Sequence, residues 1–508
     1  MTKFESLVQL VHSMSRSEKK KFSVATSCRK TKPDYLILYE ILEAEPNMEM
    51  EVLREKFKLK KPKTAFDSVV NYLFDLLLDQ SLDLRSTQDK HYLLFNKILK
   101  ARVLFEKSLY DECFGLLKTV ALQAEKLENY HALLLAGRLE LEYLLALNFP
   151  NISEEELLKK QFKLNESIKI LRKVNEQSAL YEILKHRLHT KGYSRSEEDK
   201  RYLNDLVYSE ISIVASLAPE NFEITKLHQL FQSDYLISVG DYKSALRSYF
   251  ELSNLFETNK HLWSNPPVYY LLTIEGVLES LRSIRNYAGM TYFIDQLKKI
   301  TDTSVEFKTH TLCTIFLYEL YPHLDQGNFA SASALMADYK ENLYARMFTL
   351  NPSRQAELCL YTALIYFGKE EYNKAHRFLS QIIIRGKTYY FLPMYRTIRM
   401  VGLMILYHLA DYELISYQCR SLRRELAGEE KGYKMERFLL LFLQKQIPMQ
   451  QSQRMKLWQK VEPELDSIRK DIFEQQVLRI FDFTAWVEAL MTNFPLSTIL
   501  GLKNKQHH

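Results

Sequence analysis

The sequence predicts an all-α protein made of repeated helical hairpins, and three observations carry that expectation. Glycine is scarce, 13 residues in 508, well under half of its usual share of about 7%. From about residue 91 onward, apolar residues recur at helical spacing over stretches of 11–20 residues, and each stretch ends at a short polar turn. An aromatic residue preceded by Asp, Asn or Glu returns at Tyr242, Tyr287, Phe329, Tyr372 and Tyr412, at intervals of 45, 42, 43 and 40 residues. So little glycine leaves no turn punctuation for a β sandwich or a nucleotide-binding α/β fold. No stretch alternates apolar and polar residues long enough to read as a sheet.

The first ninety residues read as a separate module. Short helices are expected over 34–43, 49–59 and 64–78, punctuated by Pro46 and Pro62. After residue 91 the breaks fall at 148–151, 192–196, 216–221, 265–267, 301–304 and 351–353. Ser153 with Glu156, and Ser196 with Asp199, supply a side-chain acceptor and an acidic first turn that suits the helix dipole.

Each part of the repeat has a physical role. The acidic or amide residue caps the second helix of a hairpin, and the aromatic after it packs into the crossing with the first. Ala245, Ala332 and Ala375, three residues later, let two helices approach. Tyr249, Ile294, Met336 and Leu379, seven after the aromatic, fall on the same face two turns on. Tyr110 lies 132 residues before Tyr242, three steps of 44, so two weaker repeats are expected between them, with second helices near 152–174 and 195–215. A lone hairpin cannot bury both faces, so neighbours must stack.

Gly240, Asp241, Tyr242, Ala245 and Tyr249 resemble the G-D/N-Y-x-x-A-x-x-x-Y stretch of the tetratricopeptide repeat. Gly327, Asn328, Phe329 and Ala332 match it with Met336 in the last place, and Tyr372 and Ala375 with Glu370 in place of glycine. The resemblance covers roughly 95–430, with a period of 40–45 rather than 34 and most first-helix Trp and Leu-Gly positions missing. It implies a right-handed α-solenoid of about eight hairpins. The N-terminal helices weakly resemble a winged-helix or helix-turn-helix module, without a hairpin for a wing after Leu78. The end, with Phe481, Phe483 and Trp486, reads as an apolar helix closing the last face. The layout as a whole is similar to a family of uncharacterised bacterial helical-repeat proteins, a resemblance that implies no activity. The expected organisation is a helical module over 1–90, tetratricopeptide-like repeats over 91–430 and capping helices over 431–508.

Lys and Arg number 69 and Asp and Glu 63, a net charge of +6 that is mild at this length and does not itself imply nucleic acid or an anionic membrane. Cys28, Cys113, Cys313, Cys359 and Cys419 are far apart and never in a C-x-x-C pair, which reads as reduced, mostly buried thiols. The first twenty-two residues lack a long apolar core and a small-residue cleavage site. The longest apolar runs, at 76–78 and 133–136, are far below the ~20 residues that cross a bilayer. A soluble cytoplasmic protein is expected.

Two basic clusters mark the N-terminal module. One runs from Arg16 through Lys19, Lys20, Lys21, Arg29 and Lys30 to Lys32. The other holds Arg54, Lys56, Lys58, Lys60, Lys61 and Lys63. Phosphate contact is one reading and a solvated face the other. The would-be recognition helix presents Thr64, Asp67, Ser68, Asn71 and Asp75; Asn71 could read adenine, but two carboxylates oppose a phosphate-lined groove. His186 and His189 are spaced for two metal ligands, lack a Cys or carboxylate set and are crowded by Lys185, Arg187 and Lys191, so no metal site is expected. Phosphate-loop, G-x-G-x-x-G, G-x-S-x-G and H-E-x-x-H motifs are absent, and no isolated acid on an apolar face stands out as a general acid. Tyr269-Tyr270, Tyr366-Phe367 and Tyr389-Tyr390-Phe391 could stack on bases, although core packing is the ordinary use of such pairs.

Arg354, Arg396 and Arg399 fall on first helices, which line the concave surface of a tetratricopeptide-like solenoid, and are candidates for gripping a carboxylate or acidic peptide. The expected function is a non-enzymatic scaffold or adaptor that binds a protein or peptide partner, without cofactor. The alternative is a regulator coupling an N-terminal nucleic-acid-binding module to a ligand-sensing solenoid.

Overall fold

The computed structural model describes residues 2–27, 32–44, 50–215, 221–300, 304–426, 432–445, 447–448 and 450–506. Among the described residues there are 27 α-helices, two 3₁₀ segments and no strand, and no helix is long and apolar enough to cross a membrane. The chain divides into two compact units, Met1–Arg172 with 303–306, and Lys173–Asp302 with Phe307–His508. The division falls inside the long helix Glu154–Lys191.

The first unit opens with five helices, Lys3–Ser13, Arg16–Ser27, Asp34–Ala44, Met50–Lys60 and Phe66–Gln88. The first two go beyond the sequence expectation: the Ser-Glu-Lys-Lys-Lys run leaves the second few apolar residues to mark a period, while Phe4, Leu7, Val8 and Val11 do mark one in the first. Thr2 and Glu5 form a capping box at the first, and Ser15 and Glu18 exchange the same two bonds ahead of the second. Their apolar faces meet around Leu7, Val11, Leu38, Leu42, Phe57 and Leu73. Truncating one such leucine to alanine costs about 2–5 kcal/mol. The fifth helix continues past Leu78 to Gln88, so helix occupies the stretch where a wing would follow. Pro46, Cys28, Arg29 and Lys30 lie outside the described residues. Helices Lys90–Glu106, Tyr110–Lys126 and Tyr130–Ala146 follow, packed around Leu94, Ile98, Ala101, Leu117, Val120 and Ala136.

The repeat signature turns out to be a helix stop and a helix start compressed into three residues. Ahead of the repeat aromatics, Ser108, Arg285, Glu370 and Ala410 take left-handed φ of 58–61°, and Gly240 and Gly327 take 81° and 75°. The following amide reaches back five residues, from Asp241 to Leu236 O at 2.9 Å, Asn286 to Leu281 O at 2.9 Å and Glu371 to Tyr366 O at 2.9 Å. This Schellman closure satisfies carbonyls that the helix end would strand. Asp241 and Asn286 then cap the next helix, accepting from the amides of Ser244 and Gly289 at 3.1 Å. Asn328 and Glu371 depart from the capping expectation and make no such bond. The Asn328 amide donates to Gln326 instead, and the Glu371 carboxylate is held by Lys369 and Lys374 at 2.9 and 2.5 Å.

The small residues sit where two helices cross: Ala245, Ala332 and Ala375 are fully buried. Glycine plays the same part on the opposing helix. A Cβ on Gly276 would overlap the Tyr249 ring, and one on Gly368 would overlap Phe329. Gly327 has two reasons to lack a side chain, its positive φ and the Ser497 carbonyl that would stand 2.6 Å from its Cβ.

That last contact shows how the C-terminal stretch is used. It does more than close a last face, because it returns over the turns of earlier hairpins. Gln476 donates to Ser238 O at 3.2 Å, Arg479 to Ser283 Oγ at 3.1 Å, and Asn504 accepts from Arg285 at 3.4 Å. Trp486, fully buried, donates its indole N–H to Nε2 of His408 at 3.0 Å.

Candidate functional site

Inside the second unit, first helices of successive hairpins turn charged and tyrosine side chains toward one cavity of about 440 Å³. Phe222–Ser238 contributes Asp234; Val268–Ser283 contributes Glu275, Glu279 and Arg282; Val305–Asp325 contributes Tyr318 and Tyr321; Pro352–Gly368 contributes Arg354, Glu357 and Tyr361. The C-terminal end of Glu154–Lys191 adds Tyr181 and Lys185, and the returning segment adds Arg479.

Glu275, Glu279 and Arg282 stand at i, i+4 and i+7, one stripe of a helix whose other faces bury Ile274, Val277, Leu278 and Leu281. Arg354 bridges Glu275 and Glu357, with the Glu357 contact at 2.6 Å, and Tyr321 donates to the other Glu357 oxygen at 2.8 Å. Arg479 meets Glu279 at 2.6 Å, where Tyr318 also donates at 3.2 Å. Asp234 accepts from Tyr181 at 3.0 Å and Tyr249 at 2.5 Å and pairs with Lys185 at 3.0 Å. Arg282, almost fully buried, forks onto Asp325 at 3.0 and 3.1 Å and lies 3.6 Å over the Tyr321 ring.

The electrostatics follow from burial and pairing. Burial pushes the Glu275 carboxyl up, and the Arg354 charge draws it back. Asp234 holds Lys185 above its ordinary range against the opposing effect of burial. The Tyr181 hydroxyl is raised by burial first and by the Asp234 charge second. Lining cations and anions are nearly balanced, Lys185, Arg195, Arg282, Arg354 and Arg479 facing Asp234, Glu275, Glu279 and Glu357. Each of these acids accepts from Arg, Lys or Tyr, an arrangement that orients the polar groups of the lining. The nearby thiol is Cys313, buried and pushed by that burial up to about 12. Among the described residues no group of three or more His, Cys, Asp or Glu could hold a metal ion.

Of the three arginines singled out by sequence, Arg354 lines this cavity and Arg396 and Arg399 do not. Arg396 lies 3.8 Å from Glu436, and Arg399 binds Glu425 and, at 3.0 Å, Gln418. All three are largely buried, with 16, 16 and 10% of the side chain exposed, and each faces a carboxylate of the chain itself. His189 reaches the rim of the cavity with its ring 5.8 Å from Phe391. Arg187, which crowds the histidine pair in sequence, is turned away onto Asp205 at 2.7 and 2.8 Å. Two of the aromatic pairs pack inward, Tyr270 stacking on Trp263 at 4.1 Å and Tyr366 on Phe378 at 5.5 Å, whereas in the third group Tyr389 is buried and Tyr390 and Phe391 are exposed.

In the N-terminal module, Arg54 faces Asp67 at 4.0 Å and Lys61 pairs with Asp34 at 2.8 Å. The Asp67 and Asp75 side chains are 85 and 70% exposed. The residues that sequence reasoning passed over are Glu275, Glu279, Arg282 and Arg479. The signal for the first three was present: two acids and a base on one stripe of a helix that is otherwise apolar. Arg479 had none, because only the return of the C-terminal segment brings it to Glu279. No family model, curated protein or solved structure matches this chain.

Proposed function

We propose that the chain is a non-enzymatic binding protein, a tetratricopeptide-like solenoid that takes a peptide segment of a partner protein into the cavity on its first-helix face. The observation that carries this reading is the convergence of paired charges from successive first helices on one cavity of about 440 Å³, within the ~300–1,000 Å³ range of ligand sites. Such a volume takes a few residues, so the partner inserts a terminus or a short extended stretch. Balanced lining charge favours a segment bearing both signs, since an ion of one sign would have to displace an existing pair. Side chains held on packed helices lose little freedom on binding. The Asp67 and Asp75 carboxylates beside the basic cluster Arg54–Lys63 weigh against the N-terminal module as a reader of base edges.

A random peptide library panned against the full chain tests this. Leu272, at the cavity and 36% exposed, is the point of control. Enriched peptides should carry both charge signs and bind Leu272→Arg at least about tenfold more weakly, a loss of ~1.4 kcal/mol, at unchanged melting temperature. Failure to enrich, or equal binding to the variant, refutes the reading.

A further inference from the structure

A second cavity of about 390 Å³ lies in the same unit and has a different chemistry. Six cationic side chains line it, Arg282, Arg285, Arg469, Lys470, Arg479 and Lys503, against three carboxylates, Asp325, Asp466 and Asp482. Two more carboxylates reach these cations. Glu279 meets Arg479 at 2.6 Å, and Glu488 meets Arg469 at 2.8 Å and Lys503 at 3.0 Å. Arg282 is neutralised by Asp325 at 3.0 Å, Arg469 by Asp466 at 2.9 Å, and Lys503 lies 3.6 Å from Asp482.

Arg285 and Lys470 remain. Among the described residues neither enters an ion pair, and the Arg285 guanidinium has a single long bond, 3.4 Å to Asn504 Oδ1. The Tyr242 hydroxyl, also in the lining, is buried without a hydrogen-bond partner among the described residues. The buried, unsatisfied hydroxyl and the half-buried Arg285 charge each cost free energy, and an anion that fills the cavity offsets both. The same lining carries apolar surface from Leu324, Phe329, Leu364 and Phe481.

We propose that this cavity binds a small organic phosphate. The six cations exceed the five carboxylates that reach them by one charge, and a phosphate monoester, about −1.5 to −2 near pH 7, carries enough charge to engage both Arg285 and Lys470. Its three terminal oxygens are acceptors for the guanidinium, ammonium and hydroxyl donors of the lining, whereas a carboxylate brings two oxygens. The carbon skeleton rests against the leucines and phenylalanines. The site does not depend on the peptide-binding reading, which concerns the other cavity, although Arg282 and Arg479 line both.

Calorimetric titration of the full chain at fixed ionic strength tests it, with phenyl phosphate as the probe and phenol and benzoate as controls. Saturable binding of phenyl phosphate, and none of phenol, is expected. Arg285→Gln/Lys470→Gln should bind at least about tenfold more weakly, from loss of charge-assisted hydrogen bonds worth ~1.4 kcal/mol or more. Lys470 is exposed, so Lys470→Gln alone keeps the fold and should still weaken binding severalfold. Absence of saturable phenyl phosphate binding, equal binding of benzoate, or wild-type affinity in Lys470→Gln and the double variant overturns the proposal.

Discussion

The hairpins of the first unit and those of the second close with the same turn and carry opposite chemistry on their first helices. Ser108 and Arg285 share a left-handed φ of 61° and 60°, and Leu109 and Asn286 both reach back five residues at 2.9 Å. Yet Lys90–Glu106 buries Leu94, Ile98 and Ala101, whereas Val268–Ser283 turns Glu275, Glu279 and Arg282 into a cavity. The turn and the small-residue crossing set how hairpins stack. The free face of the first helix decides whether the interior becomes plain core or a site. Stability should therefore respond to polar truncation in the second unit and to propensity and packing in both.

Arg354→Ala should produce the largest effect, because it strips the partner from Glu275 and Glu357 at once. Breaking a buried pair costs about 3–5 kcal/mol, and chemical denaturation would read it. Arg354→Met with Glu275 and Glu357 changed to Leu and Gln should recover most of the loss, since packing replaces the pairs. A loss below ~1 kcal/mol for Arg354→Ala would mean that the charges are solvated and the two interiors alike.

A glycine pair sharpens the comparison at the next level down. Gly276→Ala drives a Cβ into the Tyr249 ring and should destabilise by about 1–3 kcal/mol through overpacking. Gly115, in Tyr110–Lys126 of the first unit, has no atom within 4 Å of its Cβ position. There the same substitution should stabilise by about 0.5–1 kcal/mol from helix propensity. Equal signs in thermal melts would refute the assignment of Gly276 to a close crossing.

A histidine of the second unit supplies a pH response. Burial pushes the His408 ring down to about 4, and Nε2 must be unprotonated to accept from Trp486 at 3.0 Å. The unfolded chain takes up its proton near pH 6.5. Between 6.5 and 4 the unfolded state therefore binds more protons, and stability should fall as pH falls through that window. His408→Gln keeps an acceptor without the titration. Its stability should be flatter over the same range, and an unchanged slope would place the acid sensitivity elsewhere.

The fold was legible where one residue type serves a local geometry. The pair Asp241-Tyr242 and its repeats marked each turn because a left-handed stop and an aromatic wedge must be adjacent in sequence, with a side-chain cap between them at Asp241 and Asn286 and none at Asn328 and Glu371. Ala245, Ala332 and Ala375 were legible as crossing points for the same reason. The site was less so. Arg354 could be placed on a first helix, but its pairing with Glu275 joins residues from two different hairpins. Arg479 and Asn504 are joined to Glu279 and Arg285 by a chain return that no local pattern encodes. Helix Arg16–Ser27 has few apolar residues to mark it, whereas Lys3–Ser13 carries Phe4, Leu7, Val8 and Val11 at helical spacing and was legible in principle, as were the helix-start pairs Thr2 with Glu5 and Ser15 with Glu18.

The smallest effect should come from the basic face of the first unit. Lys58, Lys60 and Lys63 enter no ion pair among the described residues, while Arg54 and Lys61 face Asp67 and Asp34. Changing the three free lysines to glutamine should move stability by no more than about 0.5 kcal/mol, as exposed substitutions away from caps and cores do. If duplex DNA binds here, it does so through counterion release, so retention should fall steeply with salt and weaken further in the triple variant. It should not depend on base sequence, because the highly exposed Asp67 and Asp75 carboxylates stand on the face that would approach base edges. Selection from random duplexes at physiological salt reads this directly. Enrichment of a defined motif, lost in the triple variant, would make the first unit the specific binding region and reverse the contrast between the two units.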